Sequence, residues 1–115
     1  MSVSIYHNPR CSKSRQTLSL LEEQGISPEV ILYLETPPDA SQLTLILKQL
    51  GISARNLLRK GEQEFKDNNL KDPSLSEAQL IEFMCQYPKL IERPIVVNGP
   101  KARIGRPPES ILEIL

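Results

Sequence analysis

Cys11 is one of two cysteines in this 115-residue chain, and its surroundings are suited to reactivity. The stretch SIYHNPRCSKSRQTL sets it just after an apolar, strand-like run, close to the only histidine, His7, to Arg10, Lys13 and Arg15, and to the hydroxyls of Ser12 and Ser14. A cysteine placed where a strand has ended and a helix is about to begin faces unpaired backbone N–H groups and the positive end of the helix dipole. Both favour thiolate over thiol, and basic neighbours lower the pKa further. Cys11 therefore reads as a nucleophile, with Ser12 and Ser14 as candidate donors to its sulfur or to a bound oxyanion. The alternative, a small packing residue, fits the polar and basic neighbours poorly. His7 lies across a turn shaped by Asn8 and Pro9, where it can tune the thiol electrostatically, cap the strand end or transfer a proton.

Three distant arginines bear on what such a nucleophile would attack. Arg59 ends the segment ARNLLRK, Arg93 precedes Pro94 at the start of a strand, and Arg106 follows the last strand. All three fall at element junctions, and guanidinium forks suit tetrahedral or planar oxyanions. Only their joint convergence on the thiolate would be informative. Cys85 reads differently: it shares a helical stripe with Leu80, Ile81 and Met84, the pattern of core packing, with a resolving thiol as the alternative.

The elements that must position these groups follow from local pattern. SVSIY, residues 2–6, predicts a strand stopped at Asn8-Pro9. A helix is predicted from Ser12 to about Gln24, with Gly25 at a left-handed stop and Ile26 folding back onto Leu21. VILYL, residues 30–34, predicts a strand covered on both faces, bounded by Pro28 and Pro37-Pro38. Asp39 and Gln42 form a capping box ahead of a helix carrying Leu43, Ile46, Leu47 and Leu50 up to Gly51. A helical insertion is expected at about 53–88, containing ARNLLRK, a polar surface stretch GEQEFKDNNLKDPS, and a helix from about Ser76 to Gln86. RPIVV and KARIG flank the turn signal Asn98-Gly99 and predict a β-hairpin. A proline-started helix, PPESILEIL, closes the chain. The order β-α-β-α, insertion, β-β-α is that of an α/β thioredoxin-like fold in a single domain, 1–115: a mixed four-stranded sheet flanked by helices.

Composition narrows the functions. Lys plus Arg and Asp plus Glu each number 14, so no general basic field exists for nucleic-acid binding and any anion site must be local. No run of about 18 apolar residues suggests a membrane span, and the start lacks the features of an export signal. A soluble, cytoplasmic protein is expected, with free thiols. A metal is not expected, because Cys11 and Cys85 form no close ligand pair and His7 alone could add a third ligand.

The motifs YHNPRCSKSR, LYLETPP, LLRK, ERPIVV and GRPPE, in that order over nearly the whole chain, resemble the ArsC family of glutaredoxin-coupled arsenate reductases, most closely its YfgD-like branch. There is a remoter resemblance to Spx-type regulators, which usually carry a CxxC pair where this chain has Cys11 followed by Ser12, Lys13 and Ser14. The ArsC resemblance implies the thioredoxin-like fold with its helical insertion. It implies that Cys11 forms a thiol-linked arsenate adduct, that Arg59, Arg93 and Arg106 bind the oxyanion, and that His7, Ser14 and Arg15 tune the cysteine. It also implies a cis-proline at Pro94 beside the cysteine. No bound cofactor is implied; glutathione is the co-substrate and glutaredoxin the partner. Two other functions remain open: a reductase of another oxyanion or a mixed disulfide, and a non-enzymatic adaptor of the Spx type, against which the missing CxxC counts.

Overall fold

The computed structural model describes residues 2–115. The chain divides into two compact units, one made of the residues up to Thr36 together with Arg93–Leu115, the other of Pro37–Glu92. Among the described residues no helix is long and apolar enough to cross a membrane.

The first unit is built on a four-stranded sheet in the order β2-β1-β3-β4. β1 (Val3–Tyr6) runs parallel to β2 (Glu29–Ile31) and antiparallel to β3 (Ile95–Asn98), which pairs antiparallel with β4 (Lys101–Ile104). The parallel pair requires a crossover, supplied by α1 (Ser12–Glu23). Period-two alternation sends Ile5 and its cross-strand partner Val96 to one face. There they bury with Leu21 of α1 and with Ile111 and Ile114 of the C-terminal 3-10 helix, Pro108–Ile114. Val3, Leu18, Leu20 and Ile26 pack around this cluster.

α1 stops as its sequence predicts. Gly25 takes φ 77°, and the Ile26 N–H donates to the Leu21 carbonyl at 3.1 Å. The β3–β4 hairpin forms, with Asn98 still paired to Lys101 and Gly99-Pro100 as the two-residue loop. Gly99, at φ 61°, supplies the left-handed first position that a tight hairpin needs.

The apolar run at 30–34 corrects the expectation of a strand covered on both faces. Only Glu29–Ile31 is strand, at the outer edge of the sheet, and Val30 is 44% exposed. Residues beyond it turn instead, with the Leu32 carbonyl accepting from the Glu35 and Thr36 N–H groups, each at 2.9 Å. The C-terminal helix is of the tighter 3-10 type, with Pro108 in its first turn.

The helical unit contains α2 (Ala40–Leu50), α3 (Ala54–Leu57), α4 (Gln63–Asp67), α5 (Glu77–Gln86) and a 3-10 turn, Pro88–Leu90. α2 thus clusters with the helices expected as the insertion. Its capping box forms as predicted: the Gln42 N–H donates to Asp39 Oδ1 at 2.8 Å and the Gln42 side chain accepts from the Asp39 N–H at 2.9 Å. The stretch expected as polar surface holds α4, which buries Phe65, and is followed by fully buried Leu70. Arg55 pins the segment by donating to the Leu70 and Asp72 carbonyls, each at 2.8 Å. Cys85 also departs from expectation, being partly exposed where core packing was predicted. Burial, then Asp39 and Glu82, push its thiol up.

Candidate active site

β1 ends at Tyr6 and the chain turns sharply through Asn8 and Pro9 before α1 begins. Asn8 makes the turn twice over: its carbonyl accepts from the Cys11 N–H at 3.0 Å, and its Oδ1 accepts from the Arg10 N–H at 3.0 Å. Asn side chains are suited to such local bonds. Cys11 is the N-cap of α1, with extended backbone (φ −96°, ψ 124°), and the first turn of the helix has no acidic residue to oppose its dipole.

The Cys11 side chain makes no capping hydrogen bond as a thiol, but the surroundings favour its ionised form. Burial of the sulfur acts most strongly and alone would raise the pKa. The Ser14 N–H, the Arg93 guanidinium, the Lys13 N–H and the Arg106 guanidinium together outweigh it, so the thiol titrates below a free cysteine. Arg106 Nη2 lies 3.6 Å from Sγ, while its Nε donates to the Arg93 carbonyl at 2.8 Å. One guanidinium thus touches the sulfur and fixes the backbone of the neighbouring arginine. The Arg93-Pro94 peptide is cis, and so is Arg106-Pro107.

The other expected site residues divide according to their contacts. The Ser14 hydroxyl, fully buried, is committed away from the sulfur: it accepts from the Asn8 N–H at 3.0 Å and is 2.7 Å from His7 Nδ1. Of the two partners expected for this hydroxyl, the sulfur or a bound oxyanion, the structure pairs it with neither, and it is the Ser14 N–H that acts on the sulfur. His7 is buried, and burial, followed by the charge of Arg15, pushes its pKa down. The lowered pKa favours the neutral ring, whose Nδ1 shares a hydrogen bond with the Ser14 hydroxyl. Arg15 straps the loop, donating from Nη1 to the Pro9 carbonyl at 2.9 Å. Arg59 belongs to the helical unit, where its Nη1 pairs with Glu62 at 3.2 Å and its N–H donates to the Leu90 carbonyl at 2.8 Å. Among the described residues no group of three His, Cys, Asp or Glu side chains gathers as a metal site.

Sequence reasoning passed over Gly105 and Thr17. Gly105 is buried, and its N–H donates to the Pro94 carbonyl at 2.9 Å. A Cβ there would collide with the Thr17 hydroxyl and lie 2.9 Å from Pro94 Cγ. The strand leading into Arg106 can approach α1 and Pro94 only because this residue has no side chain. The signal in the sequence was the glycine directly before Arg106-Pro107. Gly105→Ala is expected to destabilise by about 1–3 kcal/mol, the range for overpacking. It should also lower kcat/KM by displacing Arg106. Urea midpoints and steady-state kinetics of the variant measure both effects.

A cysteine capping the helix after β1, in a mixed sheet with a cis-proline just before its third strand, defines a thioredoxin-like fold with a thiol at the helix start. The chain belongs to the ArsC family, whose model matches residues 6–114. Among similar proteins is one of Escherichia coli K12 called uncharacterized protein YfgD, 63% identical over 114 residues that make up 98% of this chain and 96% of that one. An arsenate reductase of Haemophilus influenzae is 52% identical over 116 residues, covering 100% of both chains. A solved structure of an arsenate reductase from Vibrio cholerae superposes with a TM-score of 0.98 at 56% identity, covering 100% of this chain and 98% of that one.

Proposed function

We propose that this protein is an arsenate reductase that converts arsenate to arsenite, with glutathione as co-substrate and glutaredoxin as the electron-donating partner. The observation that carries the reading is the placement of Arg106 Nη2 3.6 Å from the Cys11 sulfur at the start of α1. The arsenate reductases among its relatives support the choice of substrate.

In the proposed cycle the Cys11 thiolate attacks arsenic, and one arsenate hydroxyl leaves as water after taking a proton. Arg93 and Arg106 offset the oxyanion charge that would otherwise repel the thiolate, and Arg59 is assigned to the same oxyanion by its motif. Such preorganised charge is commonly the largest catalytic contribution. Glutathione then replaces a second arsenic oxygen, its thiol proton leaving with that oxygen as water. A glutaredoxin thiolate attacks the glutathione sulfur and forms a mixed disulfide. The electron pair of the broken As–S bond stays on arsenic, which passes from As(V) to As(III). Hydrolysis of the remaining As–S bond returns the Cys11 thiol and releases arsenite. The external thiols are needed because Ser14 stands where a partner cysteine would resolve the adduct. His7, Ser14 and Arg15 act on the loop that holds Cys11. A co-substrate of this kind, kept reduced in the cytosol, supports a cytoplasmic location.

Arsenite formation should require arsenate, glutathione and glutaredoxin together; turnover independent of glutathione would overturn the thiol cycle. The thiol itself gives a separate check. Because its pKa is lowered, the rise of alkylation rate with pH should come at lower pH than for a free cysteine. A profile that follows the free amino acid would contradict an activated Cys11.

A further inference from the structure

The loop that leads into Cys11 also lines a cavity of about 310 Å³, together with Leu32, Leu34 and Glu35; its own contribution is His7, Asn8, Pro9 and Arg10. This is at the lower end of the volumes of small-molecule sites, roughly 300–1,000 Å³. It sits where β1 and its parallel neighbour β2 end, and ligands of sheets with parallel strands bind at the carboxyl ends of those strands. Its lining belongs to a single compact unit. The loop that walls it, His7 to Arg10, runs directly into Cys11.

The two charged side chains on this wall are unspent. The Arg10 guanidinium and the Glu35 carboxylate form no ion pair or side-chain hydrogen bond, with each other or with any described residue; their backbone N–H groups alone are engaged, by Asn8 and Leu32. His7 is 94% buried by its 6% exposure, and with Nδ1 held by Ser14 its Nε2 has no partner among the described residues. Leu32 and Leu34 supply an apolar wall, and Leu34 is 38% exposed although it lies in a segment of otherwise core-like composition. A cation, an anion, an imidazole nitrogen and an apolar wall around one small volume match a short zwitterionic peptide better than a bare oxyanion, which would meet Glu35.

We propose that this cavity is the subsite for the thiol co-substrate, taking a small zwitterionic peptide thiol of the glutathione type. A terminal carboxylate of the ligand pairs with Arg10, its ammonium group with Glu35, and an amide group, which can donate or accept, pairs with His7 Nε2. The assignment rests on the thiol-dependent cycle proposed above, and its test is independent of turnover. S-methylglutathione has no free thiol, so it reports binding alone. Titrated into the wild-type protein and followed by amide NMR, it should give saturable shifts at His7, Asn8, Arg10, Leu32, Leu34 and Glu35. Its glycyl ethyl ester, lacking one carboxylate, should bind about tenfold more weakly, the scale of one charge-assisted hydrogen bond. In Arg10→Ala the acid and the ester should bind alike, and Glu35→Gln should weaken both. Shifts confined to other residues, no saturable shift at all, or an Arg10→Ala protein that still prefers the acid would overturn the subsite. Cavity binding without arsenate turnover would instead uphold the subsite and remove the reductase reading.

Discussion

Cys11→Ser is expected to abolish arsenite formation, with a loss on the order of 10⁴-fold or more, the scale seen when a nucleophile is removed. A serine hydroxyl keeps the shape of the site but is almost entirely protonated at neutral pH, and the charges that favour a thiolate cannot ionise it usefully. The fold should survive, because Cys11 contributes its backbone to the start of α1 and its side chain makes no capping bond. Circular dichroism and the unfolding midpoint should stay close to wild type while coupled turnover disappears. Residual turnover within tenfold of wild type would assign the chemistry to another group. Cys85, whose thiol is pushed up by burial, Asp39 and Glu82, would then have to be considered.

Arg106→Ala should have the next largest effect, about 10²–10³-fold in kcat/KM, comparable to removing one preorganised oxyanion donor. Two functions are lost together: the cation near the sulfur and the hydrogen bond from Nε to the Arg93 carbonyl. The Cys11 pKa should rise, so its alkylation profile should move to higher pH. Arg106→Lys discriminates between charge and geometry. Lysine restores a positive charge but cannot hold the carbonyl and face the sulfur through a planar fork. It should recover part of the alkylation shift and little of the kcat/KM. Full recovery by lysine would reduce the role of Arg106 to a point charge.

The parts of the fold set by neighbours in sequence were legible before the structure. The stop of α1 at Gly25, the Asp39–Gln42 capping box and the β3–β4 hairpin each depend on residues a few positions apart. Features set by long-range packing were not. VILYL has the composition of a buried strand, yet Tyr33 alone of its five residues is fully buried, and Leu34 lines an open cavity. α4 went unread because Phe65 and Leu70 are two apolar residues in a polar stretch, too few to show a period. At the site, the type and position of Cys11, Arg93 and Arg106 were legible, since cation and thiol chemistry can be read residue by residue. The commitment of the Ser14 hydroxyl to His7 and Asn8 could not be read, because a hydroxyl between two possible partners is decided by side-chain geometry. Neither could the close approach at Gly105, which depends on Thr17 from a helix far back in the chain.

The sheet draws its strands from both ends of the polypeptide, and the Arg106–Cys11 contact spans 95 positions. A ribosome must therefore release the chain past Arg106 before the sulfur meets this guanidinium. Until then the thiol lacks the nearby charges of Arg93 and Arg106, and closing so long a loop carries an entropic cost. The alkylation rate of Cys11 should therefore report the fraction of chains in which this contact has formed.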